Sequence, residues 1–239
     1  MRTWMTCFFF ASAAVVAGCT DLSSSDLKTA GMSATMTVQG DGTGQTTVTA
    51  QFNVDSNGTD FVNLTSGDTA TASVASQSRT LSESNDLGDI AYETTFMGED
   101  AEGTLYTIAL NRTTDVSAPS STVTMPSPFS ITTPTSSSSL SRTASDITVT
   151  YTNSGTPDTM TWYVSGDCIA GAAGTVSGDA GTFVIAKGSL ATSQNAQGGT
   201  CQATLTLTRT RPGQLDPHYG SGGSINAQHV RQVTFNSTP

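Results

Sequence analysis

The sequence contains few charged residues, and very few of them are basic. Only 12% of its 239 residues are charged, with 9 Lys and Arg against 19 Asp and Glu, which gives a net charge of −10. Globular proteins usually have about 25% charged residues. Nucleic acids and anionic lipid headgroups are bound through basic patches, so a sparse and acidic charge set disfavours both as partners.

The residues on which most enzymes and metal sites depend are also scarce. There is no G-x-S-x-G nucleophile motif and no C-x-x-C, and the only histidines are His218 and His229. A hydrolase triad needs a serine, a base and an orienting acid in contact. We therefore predict no catalytic residues and no cofactor. A cleft that joins either histidine to a serine and a carboxylate would instead favour a secreted hydrolase or a hydrolase accessory subunit.

No segment has the roughly 18 consecutive apolar residues of a membrane-spanning helix. The apolar stretch Trp4–Val16 follows Arg2 and ends in the small residues of Val16–Cys19. A positive residue, a short apolar segment and small residues before a cleavage point are the parts of a signal peptide.

The sequence V-A-G-C at Val16–Cys19 resembles the lipobox of bacterial lipoproteins at all four positions. This resemblance implies that residues 1–18 are removed and that Cys19 carries a diacylglycerol and an acylated amine, which palmitate would label. Three acyl chains exceed what stable anchoring requires. Lipoproteins kept at the inner membrane typically have aspartate after the cysteine, whereas Thr20 follows here, which implies the outer membrane. The remainder is similar in style to predicted lipoproteins of Gram-negative bacteria that have no assigned activity.

Two cysteines remain when Cys7 is removed and Cys19 is lipidated, namely Cys168 and Cys201. An exported protein meets an oxidising compartment, so we expect these two to form a disulfide. The phase of the flanking strands points both sulfurs toward one core. Metal ligation lacks partner residues, so no metal site is predicted at this pair.

Hydroxyl side chains take the place of the missing charges, and they alternate with apolar residues. The chain has 43 threonines and 31 serines, and threonine suits the solvent-facing side of a strand. The alternation predicts strands, most clearly at 47–54 and 201–209. The apolar positions of 90–96 and 106–110 predict a hairpin around the loop 98–103. Trp162 has the phase of a core residue, which leaves the mature chain without an evident aromatic platform for sugars.

These patterns predict an all-β fold of tandem immunoglobulin-like β-sandwich domains. The expected boundaries are a signal peptide at 1–18, a flexible tether at 19–30, an N-terminal β-domain at 31–112, a linker at 113–121, and a C-terminal sandwich with the disulfide at 122–239. Trp162 precedes both cysteines, which departs from the order of true immunoglobulin domains.

A partial internal repeat accompanies this division. Ser66–Asp68 and Ser177–Asp179 share the sequence Ser-Gly-Asp, and each half has an aliphatic strand that ends in arginine, at Arg112 and Arg209. The aspartate and the arginine are 44 residues apart in the first half and 30 in the second. A duplication is therefore only suggested, because turn chemistry alone can produce Ser-Gly-Asp.

Two acidic clusters make calcium binding an alternative. Asp55, Asn57 and Asp60 space their oxygens somewhat like a calcium loop, and Glu99–Glu102 stands at a predicted hairpin tip. The first cluster lacks the distal glutamate of an EF-hand, and its Asn-Gly dipeptide is typical of a simple hairpin turn. No helix follows the glycine-rich run Gly40–Gly44, so that run does not predict a phosphate site.

The sequence therefore predicts a non-catalytic lipoprotein, anchored in the outer membrane through its lipid, that acts as a surface binding or structural module. Its partner would be an envelope protein or a surface ligand, with no nucleic acid. The alternatives are the secreted hydrolase or accessory subunit and a calcium-binding surface protein.

We expect millimolar calcium to leave the melting temperature unchanged, since a ligand raises it only by binding the native state. The measurement is thermal unfolding with calcium and with a chelator. A calcium-dependent rise that disappears in an Asp55→Ala, Asp60→Ala variant would establish the metal site.

Overall fold

The structure is a computed structural model that describes residues 22–54, 60–86, 89–193, 199–220 and 222–239. Cys19, Asp55 and Asn57 lie outside these residues, so the lipidation site and most of the calcium candidate do too. The strands are β1 (Leu22–Ser23), β2 (Ser33–Gly40), β3 (Gln45–Asn53), β4 (Val62–Asn63), β5 (Thr69–Val74), β6 (Gln77–Thr80), β7 (Ser82–Asp86), β8 (Asp89–Met97), β9 (Leu105–Asn111), β10 (Ala118–Thr124), β11 (Ile131–Thr133), β12 (Ser139–Ser141), β13 (Ile147–Tyr151), β14 (Thr159–Gly166), β15 (Ile169–Val176), β16 (Thr182–Ile185), β17 (Cys201–Pro212) and β18 (Gly223–Thr238). Helical structure in the described ranges is confined to single 3-10 turns at Ser24–Asp26, Thr29–Gly31 and Ser177–Asp179.

One large sheet extends through both halves of the molecule. Its strand order is β15-β14-β17-β18-β2-β3-β8-β7, with β12 beside the end of β18. A four-stranded sheet, β10-β9-β5-β6, packs against one half of it, and a three-stranded sheet, β11-β13-β16, packs against the other. The short strands β1 and β4 pair in parallel. The all-β sandwich class that the sequence predicts is thus confirmed.

The molecule contains two hydrophobic cores, which we call the cores of the first and second sandwich. The first is formed by residues between Met32 and Met125, together with Tyr219, Ile225 and Ala227. The second is formed by residues between Phe129 and Phe235. Alternation in β3 and β17 places the predicted apolar side chains inward.

Strand β18 belongs to both sandwiches. Tandem domains separated by a linker would not share a strand. It has 16 residues, and at about 3.3 Å per residue it runs for about 50 Å. Its first part pairs in parallel with β2, and its end pairs in parallel with β12. Along its other edge it pairs with the whole of β17. The two sandwiches therefore share one hairpin.

Both segments that the sequence analysis assigned to connections differ in the structure. Within the predicted tether at 19–30, residues from Leu22 onward are folded against the first sandwich, and Ser24 and Thr29 are fully buried. Within the predicted linker at 113–121, Ala118 begins strand β10 and Ser121 is fully buried. Hydroxyl-rich sequence looked like connecting chain, but here its hydroxyls are hydrogen-bonded inside the fold.

The chain passes between the two sandwiches at Met125–Phe129 instead. Pro126 and Pro128 lack an N–H, yet three carbonyls of this segment, those of Met125, Ser127 and Phe129, are turned to the hairpin. Those carbonyls accept hydrogen bonds from the arginines of β17 and β18: Arg211 to Met125 at 3.0 Å, Arg209 to Ser127 at 2.7 Å, and Arg231 to Phe129 at 3.0 Å. The crossing segment is thereby attached to the strands that both sandwiches share.

The hairpin predicted from 90–96 and 106–110 is wrong. Strand β8 lies in the large sheet and β9 lies in the four-stranded sheet. Their apolar side chains face each other across the first core, where the rings of Phe96 and Tyr106 meet edge to face at 5.8 Å. Residues 98–104 therefore form an arch between two sheets.

The aspartates and arginines of the partial repeat form buried ion pairs. Asp68 lies 2.7 Å from Arg112, and Asp179 lies 3.0 Å from Arg209, with all four side chains 0% exposed. The first pair joins the ends of neighbouring strands in one sheet, whereas the second joins strand β17 to the 3-10 turn between β15 and β16. The pairs are thus alike in chemistry but occupy different topological positions, which does not support a duplication.

The predicted disulfide is confirmed. Cys168 and Cys201 are bonded, with their Cα atoms 5.8 Å apart. Cys168 follows β14 and Cys201 begins β17, so the bond closes the end of the second sandwich far from the crossing segment. A cross-link over 33 residues of sequence separation stabilises the fold by about 3–4 kcal/mol in the chain-entropy model.

Replacing Asp179 with asparagine should lower the free energy of unfolding by about 3–5 kcal/mol, because Arg209 keeps a buried charge with no counter-charge. The measurement is urea unfolding at pH 7. The matched control is Glu102→Gln, because Glu102 is 56% exposed and lies 3.7 Å from Arg211. That change should cost at most about 1 kcal/mol. Equal losses in the two variants would contradict the assignment.

Candidate functional site

The outer side of the five central strands of the large sheet carries no charged side chain. The face that we call the neutral face consists of every second residue on its five central strands, at 159–165, 202–210, 224–236, 35–39 and 45–51. These outward positions hold threonine, serine, glutamine and asparagine, except for Tyr163 and Val230. The face is thus rich in hydrogen-bonding groups and neutral across both sandwiches.

Tyr163 is the one aromatic ring on the neutral face, and the sequence analysis did not single it out. Its side chain is 49% exposed, and it lies across Gly171 of the edge strand β15. A Cβ on Gly171 would come within 2.6 Å of the tyrosine hydroxyl and 3.1 Å of its ring. The hydroxyl end of the ring therefore lies over Gly171, and any side chain at this position would displace it.

A shallow depression surrounds this ring. It measures about 410 Å³ and is lined by residues of β14, β15 and β17, among them Thr161, Tyr163, Thr175 and Thr208. Ligand sites commonly measure about 300–1,000 Å³. In the part of the chain that the structure describes, the hydroxyls of Thr175 and Thr208 have no hydrogen-bond partner. Polar groups open to a ligand thus surround an exposed ring.

Trp162, which the sequence places in the core, is only partly buried. Its ring stacks on Phe183 with centroids 5.7 Å apart and closes the edge of the second sandwich. Its Nε1 would lie 2.7 Å from a Cβ on Gly174. The neighbouring aromatics Trp162 and Tyr163 therefore cover β15 from opposite sides, each over a glycine.

His218 and Asp216 form a hydrogen-bonded pair, but they do not activate a serine. Asp216 Oδ1 lies 2.7 Å from Nδ1 of His218, while Asp216 Oδ2 accepts hydrogen bonds from the hydroxyl and the N–H of Ser120 at 2.7 and 2.8 Å. The carboxylate therefore stands between serine and histidine, whereas a triad has the histidine in the middle. This arrangement attaches the loop before β18 to β10.

The ionisation of Asp216 follows from its contacts. Burial raises the pKa of this carboxyl, but hydrogen bonds from Ser120 and from the N–H of His218 outweigh burial and lower the pKa to about 2. The carboxylate is thus charged at any physiological pH, and it anchors the loop through charge-assisted hydrogen bonds.

His229 lies fully buried at the junction of the two cores. Its Nδ1 would be 2.7 Å from a Cβ on Gly40, and Arg231 Cζ would be 2.5 Å from a Cβ on Gly42. The glycine-rich run thus admits two side chains of β18, which explains its composition without a phosphate. Burial and the charge of Arg231 lower the pKa of His229, although Asp100 acts in the opposite direction.

The acidic cluster Glu99–Glu102, which lies within the described residues, does not converge on a cation. Glu99 accepts a hydrogen bond from Gln77 at 3.1 Å, and Glu102 faces Arg211. No group of three or more His, Cys, Asp or Glu residues suited to a metal is present in the described ranges. Nor does any helix there have the length and apolar character to cross a membrane.

Comparisons with known proteins concern the fold alone. Similar solved structures include the FN1-FN3 domains of chicken CNTN1 (10% identity, TM-score 0.29, 85% of this chain and 63% of that one). They also include the fibronectin(III)-like modules of CbhA from Clostridium thermocellum (10% identity, TM-score 0.26, 86% and 93%). TM-scores this low carry no further argument. No family model and no curated protein matches the chain.

The buried His229 should make stability depend on pH. Because its pKa is lowered in the fold, the unfolded chain binds a proton more readily below about pH 6.5, so stability is complete above that pH and falls as the pH is lowered toward about 5. Urea unfolding at pH 5, 6 and 7 measures this loss. It should disappear in His229→Leu and persist in the control His218→Gln. An unchanged slope in His229→Leu would contradict this origin.

Proposed function

We propose that this protein is a lipid-anchored, non-catalytic binding module of the bacterial outer membrane, with its binding surface on the second sandwich. The observation that carries the proposal is the neutral face, which spans both sandwiches on the shared strands β17 and β18 and includes the exposed ring of Tyr163. The lipobox at Val16–Cys19 supplies the anchor.

The position of the first residues that the structure describes supports a fixed orientation. Leu22 pairs with Val62, and Arg112 donates hydrogen bonds to the carbonyls of Ser24 and Leu27 at 2.6 and 2.9 Å. Three residues of chain span about 10 Å at most, so a lipid on Cys19 holds the first sandwich close to the membrane surface.

The second sandwich then lies on the far side. Leu22 is near the beginning of β2, at Ser33, whereas β2 ends at the junction, where Gly40 pairs with His229. Strand β18 runs from the first sandwich into the second over about 50 Å. An anchored chain would thus present the second sandwich, with Tyr163, away from its lipid. A rigid spacer that carries a binding face favours the role of an envelope binding protein over that of an enzyme with a cleft.

Replacing Cys19 with alanine should leave an uncleaved or mislocalised precursor that no longer incorporates labelled palmitate. Membrane fractionation and metabolic labelling measure the two effects. The matched control is Cys7→Ala, because Cys7 lies in the segment that is removed and its loss should change neither. Normal fractionation of Cys19→Ala with labelling intact would refute the lipid anchor.

A further inference from the structure

We propose that the neutral face of the second sandwich binds a neutral glycan chain, with the ring of Tyr163 as its stacking platform. The inference rests on the proposed binding role but does not depend on the lipid anchor. It follows from the charge of the face, the position of one aromatic ring and the hydroxyls around it.

The charge of the face selects the class of partner. Its outward positions carry no acidic or basic side chain, so they offer no charge complementarity to a charged polymer. The net charge of −10 repels anionic polymers in addition. A protein partner would need an apolar or aromatic centre of several residues, whereas Tyr163 and Val230 are the only such residues on the face. A neutral, hydroxyl-bearing polymer matches this uncharged, hydrogen-bonding surface.

The ring of Tyr163 supplies an apolar contact surface, which the hydroxyls lack. The hydroxyl end of the ring lies over Gly171, and 49% of the side chain is exposed. Aromatic rings offer a large apolar contact of fixed geometry. The C–H side of a sugar ring can pack on this surface while its hydroxyls remain at the rim.

The hydroxyls beside the ring can satisfy those of a sugar. Thr161, Thr175 and Thr208 line the same depression, and threonine hydroxyls both donate and accept hydrogen bonds. The depression lies open along the sheet, so a chain of sugars can pass through it and continue over the threonines of β17. A pocket closed around a single sugar would not allow this.

The experiment is native gel electrophoresis of the detergent-solubilised full-length protein in gels that contain a polysaccharide. The neutral probes are hydroxyethyl cellulose, dextran and mannan, and the charged counterparts are carboxymethyl cellulose and dextran sulfate. At least one neutral polymer should retard the protein, and both charged polymers should retard it less.

Variants locate the site on Tyr163. Tyr163→Ala should raise the dissociation constant about tenfold, since it removes the stacking surface. Tyr163→Phe, which keeps the ring, should stay within about threefold of the unchanged protein. Thr208→Val removes one hydroxyl at nearly constant shape and should weaken retardation. Val184→Ala is the matched control, because Val184 is 54% exposed on the opposite sheet of the same sandwich.

Three results would overturn the proposal: no retardation by any neutral probe, equal retardation of Tyr163→Ala and the unchanged protein, or stronger binding to the charged polymers. Sedimentation adds a fourth. If Tyr163→Ala converts a dimer to a monomer and leaves glycan binding unchanged, the face is a contact between copies of this chain. Loss of glycan binding with normal palmitate labelling would leave the lipoprotein proposal intact.

Discussion

The attachment of Met125–Phe129 to the shared hairpin is the interaction on which the rest of the architecture depends. Arg209, Arg211 and Arg231 donate hydrogen bonds to alternate carbonyls of this segment. The guanidinium groups of Arg209 and Arg231 also lie 5.0 and 5.6 Å from the ring centre of Phe129. A proline-containing segment that could have been a hinge is thereby held on strands that enter both cores. The relative orientation of the sandwiches follows from these contacts and from the unbroken β17–β18 pairing.

This internal use of arginine also explains the neutral surface. The chain has only 9 Lys and Arg; Arg112, Arg142 and Arg209 are buried, and Arg211 and Arg231 bond to carbonyls at the junction. Buried cations need partners, and Asp68 and Asp179 serve this purpose for Arg112 and Arg209. Asp158 pairs with the partly exposed Arg211. Most of the few arginines are thus held inside the fold or at the junction, while threonine and glutamine cover the outer side of the central strands. The low charge of the chain and the internal use of its arginines therefore both account for the neutral surface of the candidate site.

The sequence predicted which side of a strand is buried better than which strands are neighbours. Period-2 alternation reports only the face, so it placed the inward residues of β3 and β17 correctly and also placed Cys168 and Cys201 toward one core. The same alternation in β8 and β9 predicts a pairing that does not form, because Phe96 and Tyr106 meet across the core. The boundary at 113–121 failed for a related reason, because hydroxyl-rich sequence is common to exposed loops and to strands whose hydroxyls bond inside the fold.

Local sequence is sufficient to predict one feature of the candidate site but not another. The parity that turns Trp162 toward the second core turns Tyr163 outward, so its exposure followed from the strand phase alone. The role of Gly171 depends on the β14–β15 register, in which Tyr163 pairs with Ala173. Glycine weakens a strand, and β15 has two of them at the edge of the sheet. Such a departure from good strand composition is expected where function requires it, and here each glycine admits an aromatic ring. The two glycines thus lower the intrinsic stability of the edge strand. They also allow a flat, half-exposed ring to lie on an uncharged surface.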